Sequence, residues 1–132
     1  RRMLYERFNH MSQTPLVSNA VNEQDQELID RATAIIRKYF DDIDFDMNVL
    51  ASELGIGRSK LYLRIKEITG LTPNELTLKI KLEEAMYLLN NQPNLNISEI
   101  SYQLGFSSPR YFSKCFKSFY GVSPQNCRKG VN

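Results

Sequence analysis

The chain has 132 residues, 42% of them hydrophobic and 11% aromatic, which is enough apolar material for a globular core. A net charge of +2 excludes nothing by itself. No apolar run reaches the roughly 20 residues of a membrane-spanning helix, and the opening RRMLYERFN lacks the pattern of a signal peptide.

Residues 1–22 read as a tail and linker from an upstream segment. Leu4 and Phe8 lie at helical spacing, and MSQTPLVSNAVN is polar, aperiodic and interrupted by Pro15. A domain over residues 23–132 then begins with Asn22 as helix cap and Asp25 at the capping-box position. Leu28, Ala32, Ile35 and Tyr39, flanked by Ile29 and Ile36, form the predicted inward stripe of a helix ending near Phe40. The Asp-rich run from Asp41 to Asp46 ends it. That run lacks the central Gly and terminal Glu of a calcium loop, so it reads as a turn with Phe45 in the core and Asp46 as the next cap.

Met47, Leu50, Ala51 and Leu54 predict a short helix that Gly55 terminates in the left-handed conformation, with Ile56 as an apolar plug. A second helix follows from about Arg58 to Thr69, with Leu61, Ile65 and Ile68 inward and Gly70 as stop. Thr72, Pro73 and Glu75 announce a connector helix over about residues 73–90. Its apolar residues, among them Leu76, Leu78, Ile80, Leu82, Ala85, Met86, Leu88 and Leu89, occupy more than one face, as expected of a helix packed on both sides. Asn96 and Glu99 form another capping box. Ile97, Ile100 and Leu104 predict a short helix before Gly105 and Phe106. Ser108 and Pro109 start the next helix, with Phe112, Cys115, Phe116 and Phe119 inward, Gly121 as stop, and Ser123-Pro124 opening a last short helix. No stretch alternates with period two, so every element is helical.

Two of these segments are one pattern written twice. Leu54-Gly55 matches Leu104-Gly105, Leu61 matches Phe112, Ile65 matches Phe116, and Gly70-Leu71-Thr72-Pro73 matches Gly121-Val122-Ser123-Pro124. Each is a short helix, a glycine turn and a basic helix, over about residues 47–70 and 97–121. Charge follows the same division. Residues 47–132 hold eleven Lys and Arg against six Glu, a balance of +5, while residues 23–46 hold three basic and eight acidic residues, a balance of −5. A basic region beside an acidic flank fits a nucleic-acid footprint.

Catalytic constellations are absent from this domain. His10, the one histidine, lies in the tail, so neither a histidine triad nor a histidine metal site can form in residues 23–132. Gly55-Ile56-Gly57 is no phosphate loop, Glu83 and Glu84 point about 100° apart on a helix, and Cys115 and Cys127 lack metal spacing. Enzyme function, cofactors and metals are therefore not expected.

Removing the inward residues from the two basic helices leaves their outer faces. The first presents Arg58, Ser59, Lys60, Tyr62, Leu63 and Lys66. The second presents Ser107, Ser108, Pro109, Arg110, Tyr111, Lys114 and Lys117. Arg, Lys and Ser offer donors to phosphates and base edges, and Tyr packs on sugars or thymine methyls. A helical protein-interaction module is the alternative that the same elements allow.

The stretches LASELGIGRSKLYLRIKEITGLTP, IKLEEAMYLL and ISEISYQLGFSSPRYFSKCFKSFYGVSP resemble the DNA-binding domain of the AraC/XylS type of bacterial transcription regulators, over about Glu23 to Lys129. The resemblance implies an all-α, seven-helix domain with two helix-turn-helix motifs joined by a long connector helix. It implies double-stranded promoter DNA as partner, no cofactor, and a cytoplasmic regulator of transcription, with RNA polymerase as a further partner and no membrane contact by this domain. Base reading would fall to Ser59, Tyr62 and Leu63 in the first motif, and to Pro109, Arg110, Tyr111 and Lys114 in the second. Leu63 and Leu78 stand where many members carry polar or basic residues, and Cys127 where an aromatic is usual. The opening RRMLYERF before a polar linker is similar to the junction after a receiver domain in a two-component regulator, so an upstream receiver or sensor domain is expected.

Overall fold

The computed structural model describes residues 22–130, so the expected tail and linker up to residue 21, with Leu4, Phe8 and His10, lie outside the described residues. Among the described residues there are seven helices and no strand. They are α1 (Glu23–Lys38), α2 (Met47–Leu54), α3 (Arg58–Thr69), α4 (Pro73–Asn91), α5 (Ile97–Gln103), α6 (Pro109–Tyr120) and α7 (Pro124–Lys129). The connector therefore ends one residue beyond its expected boundary. No helix among them is long and apolar enough to cross a membrane.

Local chemistry explains why six of the seven helices start where they do. Asn22, Asp46, Asn96, Ser108 and Ser123 each accept a backbone N–H from the first turn of the helix they cap. Thr72 and Glu75 exchange reciprocal bonds of 3.1 and 2.9 Å at the head of α4, and Asn96 and Glu99 exchange bonds of 2.8 and 2.9 Å at the head of α5.

The chain divides into two compact units, one of residues 22–39 and 44–80 and the other of residues 40–43 and 81–130. In the first, α1 packs on α2 and α2 on α3, burying Ile29, Ala32, Ile36, Leu50, Leu54, Leu61, Ile65 and Ile68. The stripe expected on α1 is thereby shifted. Ile29, Ala32 and Ile36 are its centre, while Leu28, Ile35 and Tyr39 lie half-buried at its edges. Periodicity alone marks a broad apolar arc, and contact with α2 chooses its middle. Phe45 is also half-buried rather than in the core. It stacks on Tyr39 with ring centroids 5.2 Å apart, and the Tyr39 hydroxyl donates to Glu53 at 2.9 Å.

In the second unit α5 packs on α6 and α6 on α7. Its core is aromatic where the first is aliphatic. Phe106, Phe112 and Phe116 form a chain of tilted rings with centroids 5.1 and 5.9 Å apart, and Phe119 is fully buried. All four residues expected inward on α6 are buried.

Both repeats turn in the same way. Gly55 and Gly105 take φ of 71° and 74°, the left-handed region, and the N–H of the following residue bonds back five residues, Ile56 to Ala51 and Phe106 to Ser101, each at 3.1 Å. The surroundings differ. A Cβ on Gly55 would meet nothing within 4 Å, whereas one on Gly105 would lie 2.5 Å from the Phe40 carbonyl oxygen. Gly55→Ala should cost only the left-handed strain of about 1–2 kcal/mol. Gly105→Ala adds a backbone clash and should cost clearly more. Chemical denaturation of the two variants checks the order, and equal losses would show that the Phe40 segment yields freely.

Candidate nucleic-acid interface

The exposed faces of α3 and α6 follow from their buried ones. With Leu61, Ile65, Ile68 and Thr69 inward, the first basic helix turns Arg58, Ser59, Lys60, Tyr62, Leu63 and Lys66 to solvent. Tyr62 is 42% and Leu63 61% exposed. With Phe112, Cys115, Phe116 and Phe119 inward, α6 exposes Arg110, Tyr111, Lys114 and Lys117. Pro109 and Ser108 are half-buried at its head and Ser107 is exposed just before it. Each group is thus brought onto one outer surface of its own unit.

The two helix starts are not alike. Ser108 accepts from the Tyr111 N–H at 3.1 Å, and Pro109 occupies the first turn. Ahead of α3 stands Gly57, which offers no side-chain cap. Arg58 at this helix start is steadied by donating to the Asn48 amide oxygen at 3.0 Å. Around it lies an open depression of about 490 Å³, lined by Met47, Arg58, Ser59, Tyr62 and Leu63. On the other helix the Tyr111 ring leans against Phe106 at 6.1 Å, and a hydrogen bond to the Cys115 side chain pushes the pKa of its hydroxyl up.

Structure also separates the basic residues that face outward from those that hold the fold together. Arg64 pairs with Asp25, a contact between α3 and the acidic flank, and with Glu67 at 3.1 Å. Lys79 is buried. Lys81 is half-buried, with its ammonium 5.7 Å from the centre of the Phe106 ring. Burial pushes its pKa below the usual lysine value, and Asp42 opposes that shift. Arg128 donates to the carbonyls of Leu89, Gln92 and Leu95 at 3.3, 3.1 and 2.5 Å. It binds α7 to the end of α4 and the turn beyond it, satisfying carbonyls that a helix end leaves open. Sequence reasoning counted all eleven basic residues together, and no local signal marks these four as internal. The seven that remain exposed are Arg58, Lys60, Lys66, Arg110, Lys114, Lys117 and Lys129.

No cluster of metal-ligating side chains occurs among the described residues. Both cysteines are free thiols, and burial pushes the pKa of each up. The division of the arginines is testable. Arg128→Ala removes the guanidinium bonds from three carbonyls, of which only that of Gln92 keeps a backbone donor, the Leu95 N–H, and should cost about 1–3 kcal/mol. Arg110→Ala, on an exposed face, should change stability by less than about 0.5 kcal/mol. Thermal unfolding of both variants decides it, and a stable Arg128→Ala protein would contradict the clamp.

Residues 50–130 match the model of a family described as a helix-turn-helix domain. The chain is 36% identical over 120 residues to histidine kinase P4 of Formosa agariphila, covering 91% of this chain and 8% of that protein. It is 40% identical over 85 residues to the Msm operon regulatory protein of Streptococcus mutans, covering 64% of this chain and 30% of that one. Its backbone superposes on the C-terminal domain of AraT, a response regulator from Geobacillus stearothermophilus, with a TM-score of 0.71 and 30% identity, covering 85% of this chain and 88% of the other. The chain thus spans under a third of the length of either curated relative.

Proposed function

The chain belongs to the AraC/XylS type of helix-turn-helix DNA-binding domains, and from that membership we propose that residues 23–132 read double-stranded promoter DNA through two recognition helices, α3 and α6. The observation that carries this reading is the repeated turn. Twice the chain places the same left-handed glycine and the same backbone bond before a helix whose buried side is apolar and whose open side is basic. Side chains at the start of such a helix reach base edges, and those farther along meet phosphates.

In this reading Ser59, Tyr62 and Leu63 face bases in one major-groove segment, and Pro109, Arg110, Tyr111 and Lys114 face bases in the next. Arg58, Lys60, Lys66, Ser107, Ser108 and Lys117 contact the backbone of the duplex. The two motifs, over residues 47–70 and 97–121, are joined by the uninterrupted 19-residue helix α4, about 28 Å long at 1.5 Å per residue. The whole protein would be a cytoplasmic transcription regulator in a two-component system. An upstream receiver or sensor domain would supply the signal, and RNA polymerase would be a partner of the output. The similarity to a histidine kinase and to a response regulator's C-terminal domain supports that setting.

Binding should weaken steeply with salt, because each phosphate neutralised by Lys or Arg contributes about −0.9 to the log–log slope. Four phosphates contacted by Arg58, Lys60, Lys66 and Lys117 give a slope of roughly −3 to −4. Arg110→Ala should lose about 1–3 kcal/mol on a duplex selected from random sequence and relax preference at one or two base pairs. Lys117→Ala should weaken all sequences alike. Fluorescence anisotropy at several salt concentrations, with selection repeated on the variants, measures both effects. A flat salt dependence, or an unchanged selected motif for Arg110→Ala, would contradict the assignment.

A further inference from the structure

We infer that Leu63, beside Tyr62, reads the C5-methyl group of a thymine, so that recognition by the first motif depends on a methyl group rather than on a hydrogen bond. The inference rests on the DNA-reading role proposed for α3.

Leu63 is 61% exposed on a helix face otherwise made of Arg58, Ser59, Lys60, Tyr62 and Lys66. It contributes nothing to the core, which Leu61, Ile65 and Ile68 fill from the opposite side. Leucine neither donates nor accepts hydrogen bonds, so its only favourable contact with a base edge is apolar. In the major groove the thymine methyl is the one apolar group that a standard base pair presents. Leu63 does not stand alone there. With Met47, Ser59, Tyr62 and the stem of Arg58 it lines the open depression of about 490 Å³ at the start of α3.

The charges around this depression select its occupant. Lys60 and Lys66 are exposed on the same helix, and Arg58 stands at the rim, where Asn48 orients its guanidinium. An apolar floor with a cationic rim is complementary to a thymine edge framed by the phosphates of its duplex.

Deoxyuridine tests this directly, because it keeps every hydrogen-bonding group of thymidine and lacks only the methyl. The 132-residue chain is used to select a duplex from random sequence. Each thymidine of that duplex is then replaced singly by deoxyuridine and titrated with the unaltered chain and with Leu63→Ala. We expect the unaltered chain to lose about fourfold in affinity at one or two positions, the equivalent of one methyl group removed from water. Leu63→Ala should lose at least that factor on the thymidine duplex and be indifferent to deoxyuridine at those same positions. Its melting temperature should match that of the unaltered chain, since the side chain is exposed. Deoxyuridine effects of equal size in both proteins, or absent from both while the selected duplex is still bound, would overturn the inference and leave the DNA-reading role intact. Failure to enrich any duplex would overturn that role and this inference with it.

Discussion

At Gly55 and Gly105 the backbone leaves one short helix at φ near 70°, and the next N–H closes the turn onto a carbonyl five residues back. That conformation is open to glycine at little cost and strained for other residues. Once it is set, the residue after the glycine points inward. Ile56 is half-buried and Phe106 buried at this position. The helix that follows then starts in a fixed register. Leu61 and Phe112 come to lie on the inside, and Tyr62 and Tyr111 on the outside. A shift of one residue in either helix would rotate its outer face by about 100° and turn lysines into the core. The basic surfaces therefore depend on a turn that carries no charge.

The net charge of +2 conceals two different uses of basic side chains. Arg64 and Arg128 are held against Asp25 and the end of α4, Lys81 lies over the Phe106 ring, and Lys79 is buried. The acidic flank around α1 is thus partly structural, since Asp25 fastens α1 to α3. What remains outward on α3 and α6 is four lysines, with Arg58 at the head of α3 and Arg110 at the head of α6. A lysine is a point charge suited to phosphate, whereas an arginine offers a planar fork suited to a guanine edge.

Much of this architecture was legible in the sequence because it is written locally. Caps and glycine stops act within four residues, so Asp46, Thr72, Asn96, Ser108 and Ser123 mark helix starts without knowledge of the fold. The inward stripes of α3 and α6 were equally legible, since the repeat supplies each with a second example. Features decided by tertiary packing were not. The middle of the apolar arc on α1, the half-buried stack of Phe45 on Tyr39, and the engagement of Arg64, Lys79, Lys81 and Arg128 all depend on neighbours distant in the chain. Ile43, 63% exposed in the Asp-rich turn, has no role that the structure explains.

If the two repeated units act on one duplex as a single reader, the spacing of their two DNA segments must be fixed. Footprinting on a selected site, with one to five base pairs inserted between the protected segments, tests it most directly. Two protected segments should lie close to one helical turn, about 34 Å, apart. Joint protection should disappear when the insertion reaches half a turn. Equal protection at every insertion length, or protection of one segment alone, would contradict a single reader.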